Sequence, residues 1–191
     1  MIILGVLISG RGSNLMAIVE AIEEGRLDAK VAIVLSDRAD APGLSFAKDK
    51  GILAHAVLPK SYLSKDDYEN KIVSHLKDAS VDYVVLAGYM RLVGPVLLRE
   101  YDHRILNIHP SLLPDFKGLH AQRQALEAGV SESGCTVHYV DETLDGGRIL
   151  AQAKVPVLPG DTELSLSDRI LVEEHRLYSE VLQTLSLKGE S

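Results

Sequence analysis

The chain of 191 residues is poor in cysteine and has fewer basic than acidic residues. Its single cysteine, Cys135, leaves no second thiol for an internal disulfide, which is typical of proteins in reducing compartments. Acidic residues outnumber basic ones by 27 to 20, and the net charge of −7 disfavours nonspecific binding to nucleic acid. A small anionic ligand remains compatible with this charge, because its site can be locally positive.

Signals for membranes, secretion and metals are also missing. No run is long and apolar enough to span a bilayer, and the N-terminal MIILGVLISG lacks the basic start and small-residue cleavage site of a signal peptide. We therefore expect a cytoplasmic protein with no membrane partner. No C-x-x-C or H-E-x-x-H spacing occurs, which predicts no metal cofactor, and no G-x-S-x-G motif offers a serine nucleophile.

Apolar strands and amphipathic helices alternate along the chain. IILGVLI (Ile2–Ile8) is a continuous apolar run, as expected of a parallel strand that is buried on both faces. The alternation predicts an α/β fold, with a mostly parallel, doubly wound sheet and helices on both faces. We find no linker or repeat, and we expect one catalytic domain over residues 1–191. Further strands are predicted at 30–36, 52–57, 83–88, 104–109, 135–140 and 148–157, and helices at about 14–25, 42–50, 64–79 and 163–186.

A glycine-rich loop, SGRGSN, joins the first strand to the first helix. Gly10 and Gly12 let the backbone approach a ligand closely, and Ser13 and Asn14 are residue types that cap helices. The N–H groups at the helix start would then bind an anion, at the strand end where open parallel sheets hold ligands. The spacing matches neither a P-loop nor a full G-x-G-x-x-G. A tight turn with a capped helix explains the loop equally well.

Three polar residues have side chains suited to acid–base chemistry. Asn107 and His109 point to the same face of one strand, which Pro110 then ends because it has no N–H for the ladder. An imidazole transfers protons near neutral pH, and an amide N–H can donate to an oxygen that gains charge. Asp145, in the loop DETLDGG, could raise and orient a nearby imidazolium. Each residue alone also fits an ordinary role, as a hydrogen-bonded histidine or a solvated surface acid.

Several stretches together carry a closer resemblance: AGYMR, NIHPSLLP, FKGLHA, TVHYVDETLDGG, QAKVPV and the E-H pair of the last helix. From Met1 to about Leu185 the chain resembles the folate-dependent formyltransferases. The HPSLLP run is shared with formyltetrahydrofolate deformylases, whereas the G-x-G-S-N loop and the length favour the enzymes that formylate glycinamide ribonucleotide. The resemblance implies transfer of the formyl group of 10-formyltetrahydrofolate to the amine of 5'-phosphoribosylglycinamide in purine biosynthesis. The reaction would pass through a tetrahedral intermediate without a metal.

The resemblance also assigns residues. It implies a catalytic trio of Asn107, His109 and Asp145, in which Asp145 keeps His109 charged and oriented. His109 would transfer a proton to the leaving nitrogen or stabilise the oxyanion, to which Asn107 would also donate. The implied ribonucleotide residues are Gly12, Ser13, Asn14 and Glu174. The implied folate residues are Lys65, Met90, Arg91, Leu92, Val93, Asn107, Asp141, Glu142, Thr143, Leu144 and Asp145.

Two other functions remain open at this point. A formyltetrahydrofolate deformylase hydrolyses the same donor with most of the same residues. Such enzymes carry an additional N-terminal regulatory domain, whereas this chain begins with the first strand, so we expect the transferase. A noncatalytic nucleotide-binding module would need the glycine-rich loop but not the trio. The expected partners are small-molecule substrates, and the expected assembly is a monomer or a homodimer.

Overall fold

A computed structural model describes residues 1–188, and seven strands of this part of the chain form one sheet. The strands are β1 (Ile2–Ile8), β2 (Ala29–Ser36), β3 (Leu53–Ala56), β4 (Tyr83–Leu86), β5 (Ile105–His109), β6 (Glu132–Tyr139) and β7 (Ile149–Pro156). Their order is β3-β2-β1-β4-β5-β6-β7. The first five strands pair in parallel, and β6 and β7 pair antiparallel. The mostly parallel sheet predicted from the alternation is confirmed.

Helices lie between the strands and at the end of the chain. They are α1 (Ser13–Glu23), α2 (Pro42–Asp49), α3 (Lys65–Asp78), α4 (Pro95–Glu100), α5 (Ala121–Glu127) and α6 (Glu163–Lys188). The sequence did not predict α4 and α5, because six or seven residues are too few to show a helical period. Within residues 1–188, no helix combines the length and hydropathy needed to cross a membrane.

The sheet separates two apolar layers. Along β1, Leu4, Val6 and Ile8 pack with α1, α2 and α6, whereas Leu7 packs with α3 and α4 on the opposite face. This alternation follows from the period of two along a strand, and both faces are apolar because both are covered. Helices therefore lie on both faces, as predicted.

The site lies where the winding of the sheet reverses. The chain passes from β1 to β2 on one side, and it later returns to place β4 on the other side of β1. Connections that leave the carboxyl ends of β1 and β4 diverge, and open α/β sheets bind ligands in such a crevice. The loop after β1 and the segment after β4 are joined there, because the backbone N–H of Ser9 donates to the carbonyl of Gly88 at 3.2 Å.

Tyr178 fixes α6 to the sheet beneath this crevice. The side chain is fully buried, and its hydroxyl lies 3.1 Å from the carbonyl oxygen of Leu86 and 3.0 Å from that of Leu106. We expect Tyr178→Phe to lower the free energy of unfolding by about 1 to 2 kcal/mol, because buried carbonyls lose a donor. Urea unfolding would measure this loss. The control is Tyr62→Phe at a partly exposed position, and equal losses in the two variants would contradict the prediction.

Candidate active site

Asn107 and His109 face a cavity of about 900 Å³ beside the ends of β4 and β5. The walls come from β5, from the segment after β4 and from the loop between β6 and β7. All residues predicted for the folate site line this cavity: Lys65, Met90, Arg91, Leu92, Val93, Asn107, Asp141, Glu142, Thr143, Leu144 and Asp145. The predicted catalytic trio and the predicted folate residues thus share one cavity.

His109 is buried, and oxygen atoms lie near both of its ring nitrogens. Its Nε2 is 2.8 Å from the carbonyl oxygen of Phe116, and it must donate there because a carbonyl only accepts. Its Nδ1 is 3.5 Å from Oδ2 of Asp145. In the imidazolium form, both ring N–H groups would face an oxygen atom. The structure thus brings together the histidine and the carboxylate that the sequence placed in separate motifs.

Side chains from β6 and β7 fix the turn after His109. Thr136 on β6 accepts a hydrogen bond from the backbone N–H of Leu113 at 3.0 Å, and Gln152 on β7 donates to the carbonyl of Leu113 at 2.8 Å. Phe116 takes a positive φ of 54°, and its carbonyl returns onto His109. The proline after His109 therefore begins a fixed turn that supplies a partner for the imidazole.

Asp145 is presented by a tightly folded loop. Its φ is +46°, and its Oδ2 accepts a hydrogen bond from the backbone N–H of Gly118 at 2.8 Å. Gly147 is required nearby, because a Cβ at that position would overlap the carbonyl of Tyr139. The loop thus presents the carboxylate of Asp145 to Gly118 and His109.

His138 is a site residue that the sequence reading missed. It pairs with Asn107 in the antiparallel register of β5 and β6, and only 2% of it is exposed. Its Nδ1 donates to the carbonyl of Tyr139 at 2.9 Å, so Nε2 of the neutral ring accepts from Nδ2 of Asn107 at 3.3 Å. Burial lowers the pKa of His138, which favours this neutral form. The bond sets which side of the Asn107 amide carries the NH₂ group, and only the pairing of distant strands reveals it.

The glycine-rich loop lies beside the cavity but does not line it. One expectation about it was wrong, since neither Ser13 nor Asn14 caps α1. The N-cap residue is Gly12, with a φ of +73° and no side chain to offer. Ser9 at the start of the loop accepts a hydrogen bond through Oγ from the backbone N–H of Met90 at 2.9 Å. The loop and the cavity wall are therefore in direct contact.

Asn14 lies within the first turn of α1, and its side chain forms a different contact. Its Nδ2 donates to Oε2 of Glu174 at 2.9 Å across 160 positions in sequence, so two of the four residues predicted for the ribonucleotide meet. Oδ1 of Asn14 is buried and has no hydrogen-bond partner among the described residues. Burial raises the pKa of Glu174 to about 7, and the hydrogen bond from Asn14 opposes that rise.

The groups around the cavity suit transfer of a carbonyl carbon. An imidazole that can exchange a proton, a carboxylate beside it and an amide donor are the elements that such a reaction requires. Among residues 1–188, no group of three or more histidine, cysteine, aspartate or glutamate side chains is arranged to hold a metal ion. What the arrangement can do is stabilise a tetrahedral oxyanion and move a proton to a leaving group.

Comparison with known proteins identifies the family. The formyl transferase family model matches residues 3–182. The phosphoribosylglycinamide formyltransferase of Escherichia coli K12 is 44% identical over 177 residues, which cover 93% of this chain and 84% of that protein. The chain belongs to the phosphoribosylglycinamide formyltransferase family. The resemblance seen in the motifs is thereby confirmed.

Other members of this family agree in sequence and in fold. The crystal structure of glycinamide ribonucleotide transformylase 1 from Symbiobacterium toebii superposes with a TM-score of 0.94 at 53% identity, covering 96% of this chain and 86% of that one. The trifunctional purine biosynthetic protein adenosine-3 of Drosophila pseudoobscura pseudoobscura is 47% identical over 95% of this chain. The formyltransferase chain spans only 13% of the length of that trifunctional relative.

The raised pKa of Glu174 leads to a prediction about stability. Between its usual pKa of 4.5 and its folded value of about 7, the folded state holds a proton that the unfolded state has lost. The free energy of unfolding of the wild type should therefore fall as pH rises through this window. Glu174→Gln removes this titration, so we expect the variant to gain about 1 to 3 kcal/mol relative to wild type across the window.

Urea unfolding at several pH values would measure that difference. The matched control is Glu180→Gln, on the same helix but exposed, which should follow the wild-type pH profile. Parallel profiles for Glu174→Gln and wild type would show that Glu174 titrates as an ordinary carboxyl group.

Proposed function

We propose that this formyltransferase transfers the formyl group of 10-formyltetrahydrofolate to the amine of 5'-phosphoribosylglycinamide. The observation that carries the proposal is the convergence of Asn107, His109 and Asp145 on a cavity that touches the glycine-rich loop. Two substrates with very different chemistry need two adjacent sites, and the end of the sheet provides both.

The cavity has the properties of a folate site. Met90, Leu92 and Leu144 line it with apolar side chains that are 54% to 69% exposed, so a flat ring system would bury them. Lys65 and Arg91 line it too and supply positive charge for the carboxylates of the folate tail. The apolar walls and the cationic pair together match a reduced folate with a glutamate tail.

The loop after β1 suits the ribonucleotide. The first backbone N–H groups of α1 have no partner within the helix, and the helix dipole favours a phosphate there. The carboxyl group of Glu174 and the unpaired Oδ1 of Asn14 are acceptors for hydroxyl groups of a sugar. The hydrogen bond between Ser9 and Met90 places this loop directly beside the wall of the proposed folate cavity.

The chemistry follows from these positions. The amine of the ribonucleotide attacks the formyl carbon, and the formyl oxygen becomes an oxyanion. An N–H of Asn107 and the positive charge of the His109 imidazolium stabilise the oxyanion. The Nε2 proton of His109, which faces the Phe116 carbonyl in this structure, passes to the tetrahydrofolate nitrogen as it leaves. The attacking amine gives up one proton, which passes to His109 and restores its imidazolium, so protons balance. Asp145 orients His109, and His138 orients Asn107.

The location, pathway, partners and assembly that we propose rest on the composition and the family, and not on the geometry of the site. We expect the enzyme to act in the cytoplasm, where its buried Cys135 stays reduced, and to take part in purine biosynthesis. Its substrates are small molecules, and we expect neither nucleic acid nor a membrane as a partner. A monomer or a homodimer is expected.

The decisive experiment compares transfer with hydrolysis. We expect negligible loss of 10-formyltetrahydrofolate with the protein alone and rapid loss when the ribonucleotide is added. Anchoring of the amine makes its attack effectively intramolecular, which is worth about 7 kcal/mol or more in well-oriented cases. Absorbance of the tetrahydrofolate product would follow both reactions. If 10-formyltetrahydrofolate is lost at the same rate with and without the ribonucleotide, the transferase assignment is wrong and the enzyme is a deformylase.

The role of Asp145 has its own test. We expect Asp145→Asn to lower kcat by about 10²- to 10⁴-fold and to change either KM far less, because its main role is to support the proton-transferring residue. The control is Asp115→Asn, an exposed acid in the turn after His109. Wild-type turnover in Asp145→Asn would remove this carboxylate from the mechanism.

A further inference from the structure

Glu69 on α3 is a buried carboxylate to which neither the trio nor the substrate sites assign a role. Only 2% of it is exposed. Its Oε1 accepts a hydrogen bond from the backbone N–H of Gly94 at 2.5 Å, and its Oε2 accepts from that of Leu97 at 3.2 Å. Both donors lie at the start of α4, directly after the Met90–Val93 wall of the cavity. The carboxylate therefore connects α3 to that wall.

Gly94 shows how closely the two elements approach. Its φ of −107° is available to any residue, so its backbone conformation does not require glycine. A Cβ at this position, however, would lie 2.7 and 2.9 Å from the two carboxylate oxygens of Glu69 and 2.6 Å from Cε of Lys65. Glycine fits here because the carboxylate of Glu69 and the side chain of Lys65 occupy that space.

Two further contacts join α3 to the same segment. The hydroxyl groups of Tyr68 and Tyr89 are 2.8 Å apart, and the guanidinium of Arg91 lies 5.5 Å from the centre of the Tyr68 ring. By contrast, Met90 and Leu92 are each 69% exposed toward the cavity. Residues of α3 thus contact Tyr89 before the wall, Arg91 within it and Gly94 after it, while the side chains of Met90 and Leu92 are exposed.

We propose that Glu69 is a positioning residue for the folate, acting through the Met90–Val93 wall. This inference rests on the proposed function, because it assumes that the wall contacts the folate. Loss of either hydrogen bond leaves a buried N–H without an acceptor, and the chain would shift to satisfy it. Such a shift would move the side chains of the wall that contact the folate, while Asn107, His109 and Asp145 lie on other elements and stay in place, so folate binding would weaken.

The test uses two variants that disturb the contact from opposite sides. Glu69→Gln keeps the shape, but its NH₂ group must face one of the two N–H donors. Gly94→Ala keeps the carboxylate but places a methyl group against it. For each variant we expect the KM for 10-formyltetrahydrofolate to rise about 10-fold, or 1.4 kcal/mol, and the KM for the ribonucleotide and kcat to stay within about 2-fold. The double variant should lose less than the sum of the two changes.

Asp66→Asn is the matched control, because it removes one negative charge from the same turn of α3 at an exposed position. It should leave both KM values unchanged. A purely structural role for Glu69 would instead lower the melting temperature and the active fraction, with the folate KM unchanged, and that result would overturn the inference. If Glu69→Gln does not fold, an unchanged folate KM in Gly94→Ala overturns it as well.

Calorimetric binding of tetrahydrofolate separates this inference from the proposed function. If the wild type binds tetrahydrofolate but transfers no formyl group to the ribonucleotide, the proposed function fails. A rise of about 10-fold in Kd for Glu69→Gln and Gly94→Ala would still support the positioning role. An equal Kd in wild type and both variants, or no binding by the wild type, would overturn it.

Discussion

The antiparallel pairing of β6 with β5 determines most of the site geometry. Its register places His138 opposite Asn107 and Thr136 opposite His109. The first pair orients an amide, and the second fixes the turn that supplies a carbonyl to the imidazole. A shift by one residue would turn every one of these side chains to the other face of the sheet.

The same pairing explains the unusual loop that carries Asp145. Because β6 runs opposite to β5, it ends beside the start of β5, where the N–H of Val140 donates to the carbonyl of Ile105. The loop must then return toward His109 within a few residues. A positive φ at Asp145 and the absence of a Cβ at Gly147 make that return possible. Backbone conformations that side chains disfavour thus occur where the carboxylate of Asp145 is brought to His109.

The sequence predicted those parts of the structure that depend on local pattern. The apolar run of β1 and the Asn107-x-His109 spacing each need only the period of a strand, and the resemblance to a known family added the residue roles. The role of His138 could not be predicted from its neighbours in sequence, because it depends on which strand lies beside β6. The expected cap at Asn14 was wrong because α1 begins at Ser13, and the partner of the Asn14 amide, Glu174, lies 160 positions away. In the sequence, Glu69 resembles a surface residue of a polar helix, and only the packing of α4 against α3 buries it.

The buried histidines and the exposed apolar wall of the cavity differ in what holds them in place. His109 and His138 are buried and fixed by hydrogen bonds, so their geometry does not depend on substrate. The apolar wall residues Met90, Leu92 and Leu144 are exposed, and water is a poor environment for them. A bound folate would remove that surface from water and would stabilise the folded protein by linkage. The wall can remain open to solvent before binding because Ser9 holds the backbone of Met90 and Glu69 holds that of Gly94, and not the side chains that a folate would cover.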